Sequence, residues 1–395
     1  MPKETRKEIL SHLKRVVIKI GSGVISDHES GKPPLERGLS RKRIQGYARR
    51  IAKIHKTGVE VMIVSSGAVM AGRERLNLNR VKLDIPEKQA SAAIGQSFLM
   101  RTYEHYFEKQ GLKVAQILLG HHDLEHRQRF LNAKHTLEAL LSHGVIPIIN
   151  ENDTVTVDEI KIGDNDTLSA TMACLAGAQL LIILSDVEGL YTDDPRKTLK
   201  KNEAAPELIS LVRSITPDIE KRAGKSKNPL SRGGMYTKVQ AAKKTMSYGV
   251  PTLIVNGLDS KVLDQVFKGH EVGTLFWAGP KKVSPRKHWI AHTLKPLGAV
   301  TIDAGARRAL VNNGKSLLPA GVTQVEGKFE FGSPVRILDD QGVEVARGLV
   351  NYNSADLARI KGLTSAKIRD MLETGFYEEA IHRDDLVILE PAPAT

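Results

Sequence analysis

Only one cysteine, Cys174, occurs among the 395 residues. A lone cysteine cannot form an internal disulfide, so the fold rests on its core, and a reducing, cytoplasmic setting is expected. Cys174 sits in the apolar run SATMACLAGA, where packing accounts for it better than reactivity does. Long apolar runs are missing as well. The longest, Leu180 to Leu184, is far too short to span a bilayer. The N-terminal MPKETRKEILSHLKRVVIKI has neither the apolar core nor the small-residue cleavage site of a secretory leader. There is no internal repeat and no low-complexity tract. An apolar share of 41% with 26% charged residues is that of an ordinary globular chain and excludes wholesale disorder. The length provides for two or more domains with real cores.

Negative charge is the scarcer sign, giving a formal net charge of +13. From Lys281 onward, 16 Lys and Arg stand against 14 Asp and Glu, a net +2, which leaves +11 on the first 280 residues. Excess positive charge attracts nucleic acid or a polyphosphate substrate equally well, so charge alone does not choose between them.

Short β-branched runs alternate with helical stretches along those 280 residues. Strands are predicted at Arg15–Ile20, Val61–Val64, Val114–Leu119, Val145–Ile149, Leu180–Leu184 and Pro251–Val255, the last closing the sheet. Between them, helices are expected over Ser40–Lys56, Pro86–Gln110, Asp123–His143, Thr167–Ala176 and from Gly233 onward. This alternation predicts a three-layer α/β/α domain with a mostly parallel sheet covered on both faces. The lysine-rich segment Lys197–Ser231 reads as an excursion over the site. A linker is expected over residues 281–297, its basic, proline-containing start at Lys281–Lys287. Residues 298–395, with GAVTIDAGA, EGKFEFGSPVRILDD and GVEVARGLVNY, read as a small β-barrel-like domain. The tail Asp384–Glu390 reads as its closing strand.

Polar groups collect where the predicted strands end, the place at which open α/β sheets bind ligands. Lys19 precedes the turn Gly21-Ser22-Gly23, whose missing β-carbons let backbone N–H groups approach a phosphate. No Gly-Lys-Ser/Thr follows at Walker spacing, and the turn alone is a weak signal. Ser65-Ser66-Gly67-Ala68 follows the second strand. The fourth runs into Asn150-Glu151-Asn152-Asp153, and Gly163-Asp164-Asn165-Asp166 opens the next helix. Taken singly, Asp164 is equally a turn residue, Asp166 a helix N-cap, Asn150 and Asn152 partners for backbone groups, and Lys238 a solvated helix lysine. Ser185 and Asp186 follow the fifth strand, and Gly233-Gly234-Met235 opens a helix carrying Lys238 one turn in, an arrangement suited to an anion. His121, His122, His126 and His135 fit no standard zinc spacing and read as a solvated face.

In this order, Lys19 with its glycine turn, SSGA, NEND…KIGDND, SDVEGLYTDDP and GGMYTK resemble the amino acid kinase family, and residues 298 to about 372 resemble a PUA domain. The resemblance implies transfer of phosphate from ATP, with Mg²⁺, to the γ-carboxylate of L-glutamate, the entry to proline synthesis. It implies that Lys19 and Lys238 flank the moving phosphoryl group and that Asp166 holds them. Ser66, Asp153 and Asn165 match glutamate-binding positions, with Asp153 suited to the ammonium. Lys19, Gly21, Ser22, Ser185, Asp186, Arg232, Gly233, Gly234, Met235, Tyr236, Thr237 and Lys238 match the nucleotide side. Two positions depart from the family pattern: Ser231-Arg232 precedes Gly233-Gly234 where GTGG is usual, and Ser185 stands where threonine is common. Implied partners are proline as feedback inhibitor, a glutamate-5-semialdehyde dehydrogenase, and further copies of the chain in a dimer or tetramer. The chemistry fits independently, because a carboxylate of pKa about 4 is already an ionised nucleophile at neutral pH and needs no general base. Sister kinases acting on aspartate, N-acetylglutamate, carbamate or UMP are the alternatives within the family, and Asp153 disfavours N-acetylglutamate and UMP. RNA binding through the PUA-like region is the alternative from another class, and its net +2 argues against it.

Overall fold

The computed structural model describes residues 2–28, 31, 37–78, 83–120, 123, 127–155, 165–193, 195, 205–224, 234–279, 296–364, 367–369 and 377–389. The chain divides into two units, residues 1–126 with 132–280, and residues 127–131 with 281–395.

The elements before residue 280 are α1 (Pro2–Ser11), β1 (Arg15–Ile20), α2 (Ser22–Ile25), α3 (Arg41–His55), β2 (Glu60–Ser65), α4 (Ala68–Arg75), α5 (Ile85–Glu108) and β3 (Val114–Leu119). They continue with α6 (Arg127–Ser142), β4 (Ile146–Glu151), α7 (Asn165–Leu175), β5 (Leu180–Ser185), β6 (Leu211–Val212), α8 (Pro217–Arg222), α9 (Met235–Ser247), β7 (Thr252–Asn256), α10 (Val262–Phe267) and β8 (Thr274–Phe276). Eight strands form one sheet in the order β3-β4-β2-β1-β5-β7-β8-β6. From β3 to β7 every pairing is parallel, as the alternation of elements requires. β5 is buried at all six positions and β1 and β2 at five of six, so these strands read as unbroken apolar runs instead of alternating ones.

The sheet does not close at β7. β8 adds antiparallel to it, and β6, drawn from the polar excursion, pairs with β8. Two residues, Leu211 and Val212, are too few to show a period, which is why the sequence hides this strand. Of the excursion, residues 205–224 are described, while 197–204 and 225–231 lie outside the described residues, as does the expected linker start. α1 was not foreseen either. Its Arg6 donates to the carbonyls of Ser210, His270, Val272 and Gly273, fastening the helix to the β6–β8 edge.

Chain order places a switch point at β1 and β5. After β1 the chain moves to β2 on one side, and after β5 it moves to β7 on the other, so a crevice opens at their carboxyl ends. α4 and α5 pack close against its rim: a β-carbon on Gly95 would overlap the carbonyl of Ala68, and one on Gly72 that of Ser91. Asp84 caps α5 by accepting from Glu87 N at 2.8 Å, and the Glu87 carboxylate accepts from Asp84 N at 3.1 Å, which completes a capping box.

The second unit holds a five-stranded sheet, ordered β10-β9-β11-β12-β13, from β9 (Gly298–Ile302), β10 (Val322–Gly327), β11 (Pro334–Leu338), β12 (Glu344–Leu349) and β13 (Leu386–Ile388). β13 falls in the expected tail strand and pairs antiparallel with β12. Two helices, α11 (Ala304–Asn313) and α12 (Ser354–Ile360), interrupt what the sequence presented as β segments. Their caps account for them: the Asp303 and Asn353 side chains accept from Ala306 N and Asp356 N at 2.7 and 2.8 Å, and Gly314 ends α11 with φ 57°. A separate core, including Val300, Val335, Ile337, Leu357 and Ile381, fills this unit.

Candidate active site

A cavity of about 640 Å³ opens at the carboxyl ends of β1, β2, β4 and β5. Of the residues singled out from sequence, Lys19, Gly21, Ser22, Ser66, Asp153, Asn165, Ser185, Asp186 and Lys238 line it. Asp166 lies beneath, fully buried, in the first turn of α7. Gly234, Met235, Tyr236 and Thr237 do not line the cavity; Thr237 reaches it indirectly through Asp166, and Tyr236 is 38% exposed. Arg232, Gly233 and Asp164 fall outside the described residues, as do His121, His122 and His126.

The floor is a buried lysine–carboxylate–lysine bridge. Lys19 Nζ, at the end of β1, lies 2.6 Å from Asp166 Oδ1, and Lys238 Nζ lies 3.1 Å from Oδ2. Thr237 Oγ donates to Oδ2 at 2.8 Å. Lys19 is 4% exposed and Lys238 3%. Asp166 is thus not a helix N-cap, and Lys238 is not a solvated lysine. Burial by itself would push the Asp166 carboxyl up; the charges of Lys19 and Lys238, with hydrogen bonds from Lys19 and Thr237, hold it well below the usual carboxylate range. Two cations against one buried carboxylate leave a net positive floor, which an anion arriving in the cavity compensates.

The Gly21 turn closes on β5, with Gly21 N donating to Leu184 O at 3.2 Å. A β-carbon on Gly21 would lie 3.3 Å from that same carbonyl and 3.6 Å from Lys19 Nζ, so a side chain here would press on the strand and stand beside the lysine. Ser185 Oγ donates to Asp186 Oδ1 at 3.2 Å on the neighbouring strand end. Across the cavity, Gly67 takes φ 111°, a left-handed conformation that suits glycine, and turns the chain into α4.

Amides shape the opposite wall. Asn165 Nδ2 lies 2.8 Å from Ser66 Oγ, 3.0 Å from Asn150 Oδ1 and 3.4 Å from Ser65 O. Asn150 Oδ1 also accepts from Glu151 N at 2.9 Å, and Asn150 Nδ2 donates to Gln96 Oε1 at 2.8 Å. Asn150 therefore serves a backbone group, as one of its two sequence readings has it, and also orients Asn165. The rim adds residues that sequence reasoning missed: His28, Arg37 and Arg73. Arg37 Nη1 donates to His28 Nδ1 at 2.9 Å, and His28 Nε2 lies 2.7 Å from Gly23 O. Nothing in the local sequence marks these three, because they come from loop and helix positions with no motif of their own. Among the described residues, no group of three His, Cys, Asp or Glu side chains is placed to hold a metal ion by itself. No helix of the described residues is long and apolar enough to cross a membrane.

Comparison with known proteins agrees with this geometry. The amino acid kinase family matches residues 14–256, and the PUA domain matches residues 298–372. A glutamate 5-kinase from Geobacter sulfurreducens is 51% identical over 384 residues, 97% of this chain and all of that protein. Glutamate 5-kinases from Geobacter metallireducens and Citrifermentans bemidjiense are 50% and 48% identical, again over 97% of this chain and the whole of theirs. Fold, floor and full-length likeness together make this chain a member of the amino acid kinase family, carrying a PUA domain after its kinase domain.

Proposed function

We propose that the protein transfers the γ-phosphoryl group of ATP to the γ-carboxylate of L-glutamate, giving L-glutamyl 5-phosphate and ADP. The bridge of Lys19 and Lys238 on buried Asp166 carries this reading. A glutamate carboxylate oxygen forms the new bond to phosphorus while the bond from phosphorus to the β,γ-bridging oxygen breaks. No proton is moved, so no base is needed. What the protein supplies is alignment of two anions and compensation of charge on the moving group. Lys19 and Lys238 do the second, from two sides, with Asp166 fixing both ammonium groups. Gly21, Ser22, Ser185 and Asp186 take the nucleotide side together with residues 232–238. Ser66, Asn165 and Asp153 take the amino acid, Asp153 accepting from its ammonium. Mg²⁺ fits as an ion carried in on the phosphates, since such sites take one or two carboxylates and complete the shell with phosphate oxygens and water.

The labile acyl phosphate is handed on to a glutamate-5-semialdehyde dehydrogenase in the cytoplasm, with proline as feedback inhibitor and a dimer or tetramer as the working form. The resemblance to the family supports these partners. The likeness to three glutamate 5-kinases supports glutamate as the acceptor. Incubation with ATP, Mg²⁺ and hydroxylamine tests the reading: hydroxamate forms with glutamate and fails with aspartate. Hydroxamate from aspartate alone would assign the chain to a sister kinase, and proline added to the same assay tests the inhibition.

A further inference from the structure

Two polar side chains on the buried face of α5 have no part in the reaction just described. Gln96 and Tyr103 lie seven residues apart, two turns along the buried helix face, with Leu99 between them; the same face also buries Ser91 and Thr102, whose hydroxyls are short. Gln96 is 8% exposed and Tyr103 fully buried. Neither lines the cavity. Polar groups in such positions are costly unless their bonds serve the fold or the site.

Each of them ends on the wall that faces the acceptor. Gln96 Oε1 accepts from Asn150 Nδ2 at 2.8 Å, which leaves Asn150 Oδ1 for Glu151 N and for Asn165 Nδ2. Reversal of the Gln96 amide would set two NH₂ groups against each other, so its orientation and that of Asn150 are linked. Tyr103 OH lies 2.9 Å from Ser65 Oγ, and Ser65 Oγ donates to Ser66 O at 3.0 Å. The serine proton being used, the tyrosine donates. Burial pushes the Tyr103 phenol up, so it keeps that proton. One helix thus holds the ends of β4 and β2, and the two lines of bonds meet at Asn165 and Ser66, 2.8 Å apart.

We propose that Gln96 and Tyr103 are positioning residues for acceptor recognition, setting the Asn165 amide and the Ser66 loop that grip the amino acid. The inference rests on the glutamate-kinase reading above. It separates the two substrates: α5 braces the acceptor wall, through Asn150 at the end of β4 and Ser65 at the end of β2.

Steady-state kinetics on the full-length protein test this. Gln96→Leu leaves the Asn150 NH₂ buried without its acceptor and should raise the KM for glutamate about tenfold, with the KM for ATP within about twofold. Gln96→Glu keeps a carbonyl oxygen towards Asn150 whether ionised or protonated, and should bring the glutamate KM back to within about threefold of the parent. Tyr103→Phe keeps the packing and removes one hydroxyl, so it should raise the glutamate KM about threefold to tenfold at unchanged kcat. Equal rises in both KM values, or no change in Gln96→Leu and Tyr103→Phe, would overturn the inference. Should Gln96→Leu fail to fold, Tyr103→Phe decides alone. Failure of the glutamate reading is a different result: the unaltered protein would then release no ADP in response to glutamate.

Discussion

At the scale of single residues the site turns on Asp166, which answers two lysines from different parts of the chain. Sequence left it between a helix cap and a functional group, because a carboxylate at a helix start serves either purpose. Only the long-range placement of Lys19 and Lys238, 147 residues before and 72 after, decides between them. Lys238→Met should lower kcat about a hundredfold to a thousandfold with little change in the KM for glutamate, because in the proposed reaction its charge acts on the transferring group. Rapid-quench or coupled ADP assays check it, and a near-normal kcat would remove Lys238 from the mechanism. Asp166→Asn removes the buried negative charge that both ammonium groups face and should destabilise the fold by about 3–5 kcal/mol at neutral pH. The Asp166 carboxyl is held below its unfolded pKa, so its contribution is complete above about pH 4 and is lost as pH falls from there towards the folded value. Urea unfolding should accordingly show the gap between parent and variant constant from pH 5 to 7 and narrowing below about pH 4. A gap of constant size down to pH 2 would mean the lysines do not hold this carboxyl down.

At the scale of elements, strand ends and helix starts were the legible part. β1 to β5 fall where runs of Val, Ile and Leu predict them, and polar residues just beyond β1, β2, β4 and β5 meet in one cavity. What stayed hidden was carried by contacts distant in sequence. Gln96 reads as one polar residue in the helical run AAIGQSFL, and nothing local points to Asn150, 54 positions on. β6 was too short for a period, and Asp303, the cap of α11, sits inside the Gly- and Val-rich GAVTIDAGA, while Asn353, the cap of α12, comes just after GVEVARGLVNY. Gly95 was likewise unremarkable until α4 was seen to lie on it. Gly95→Ala would drive its new methyl group into the Ala68 carbonyl, parting α4 from α5 at the point where the Ser66 loop begins. A loss of about 1–3 kcal/mol is expected, together with a raised KM for glutamate, since the loop moves with the helix. Thermal unfolding and kinetics read the two effects, and an unchanged Tm with unchanged KM would show that α4 shifts without consequence.

At the scale of the whole molecule, two units with two cores share one chain, and the excess of positive charge lies on the one that holds the cavity. The first 280 residues carry the net +11, and Lys19, Arg37, Arg73 and Lys238 bring part of it to the cavity lining. The remainder of the chain, at net +2, has little of the field that binding to a phosphate backbone requires. Separate cores predict separate unfolding, and a ligand stabilises only the core whose folded state binds it. Calorimetry of the full-length protein should therefore resolve two transitions. ATP with Mg²⁺ at about a hundred times its Kd should stabilise the kinase unit by about 2.7 kcal/mol and leave the PUA transition in place. RNA should move neither, and a salt-sensitive rise of the PUA transition alone would show RNA binding there instead. If nucleotide moved both transitions together, the two units would be unfolding as one, and the PUA domain would belong to the energetics of the kinase site.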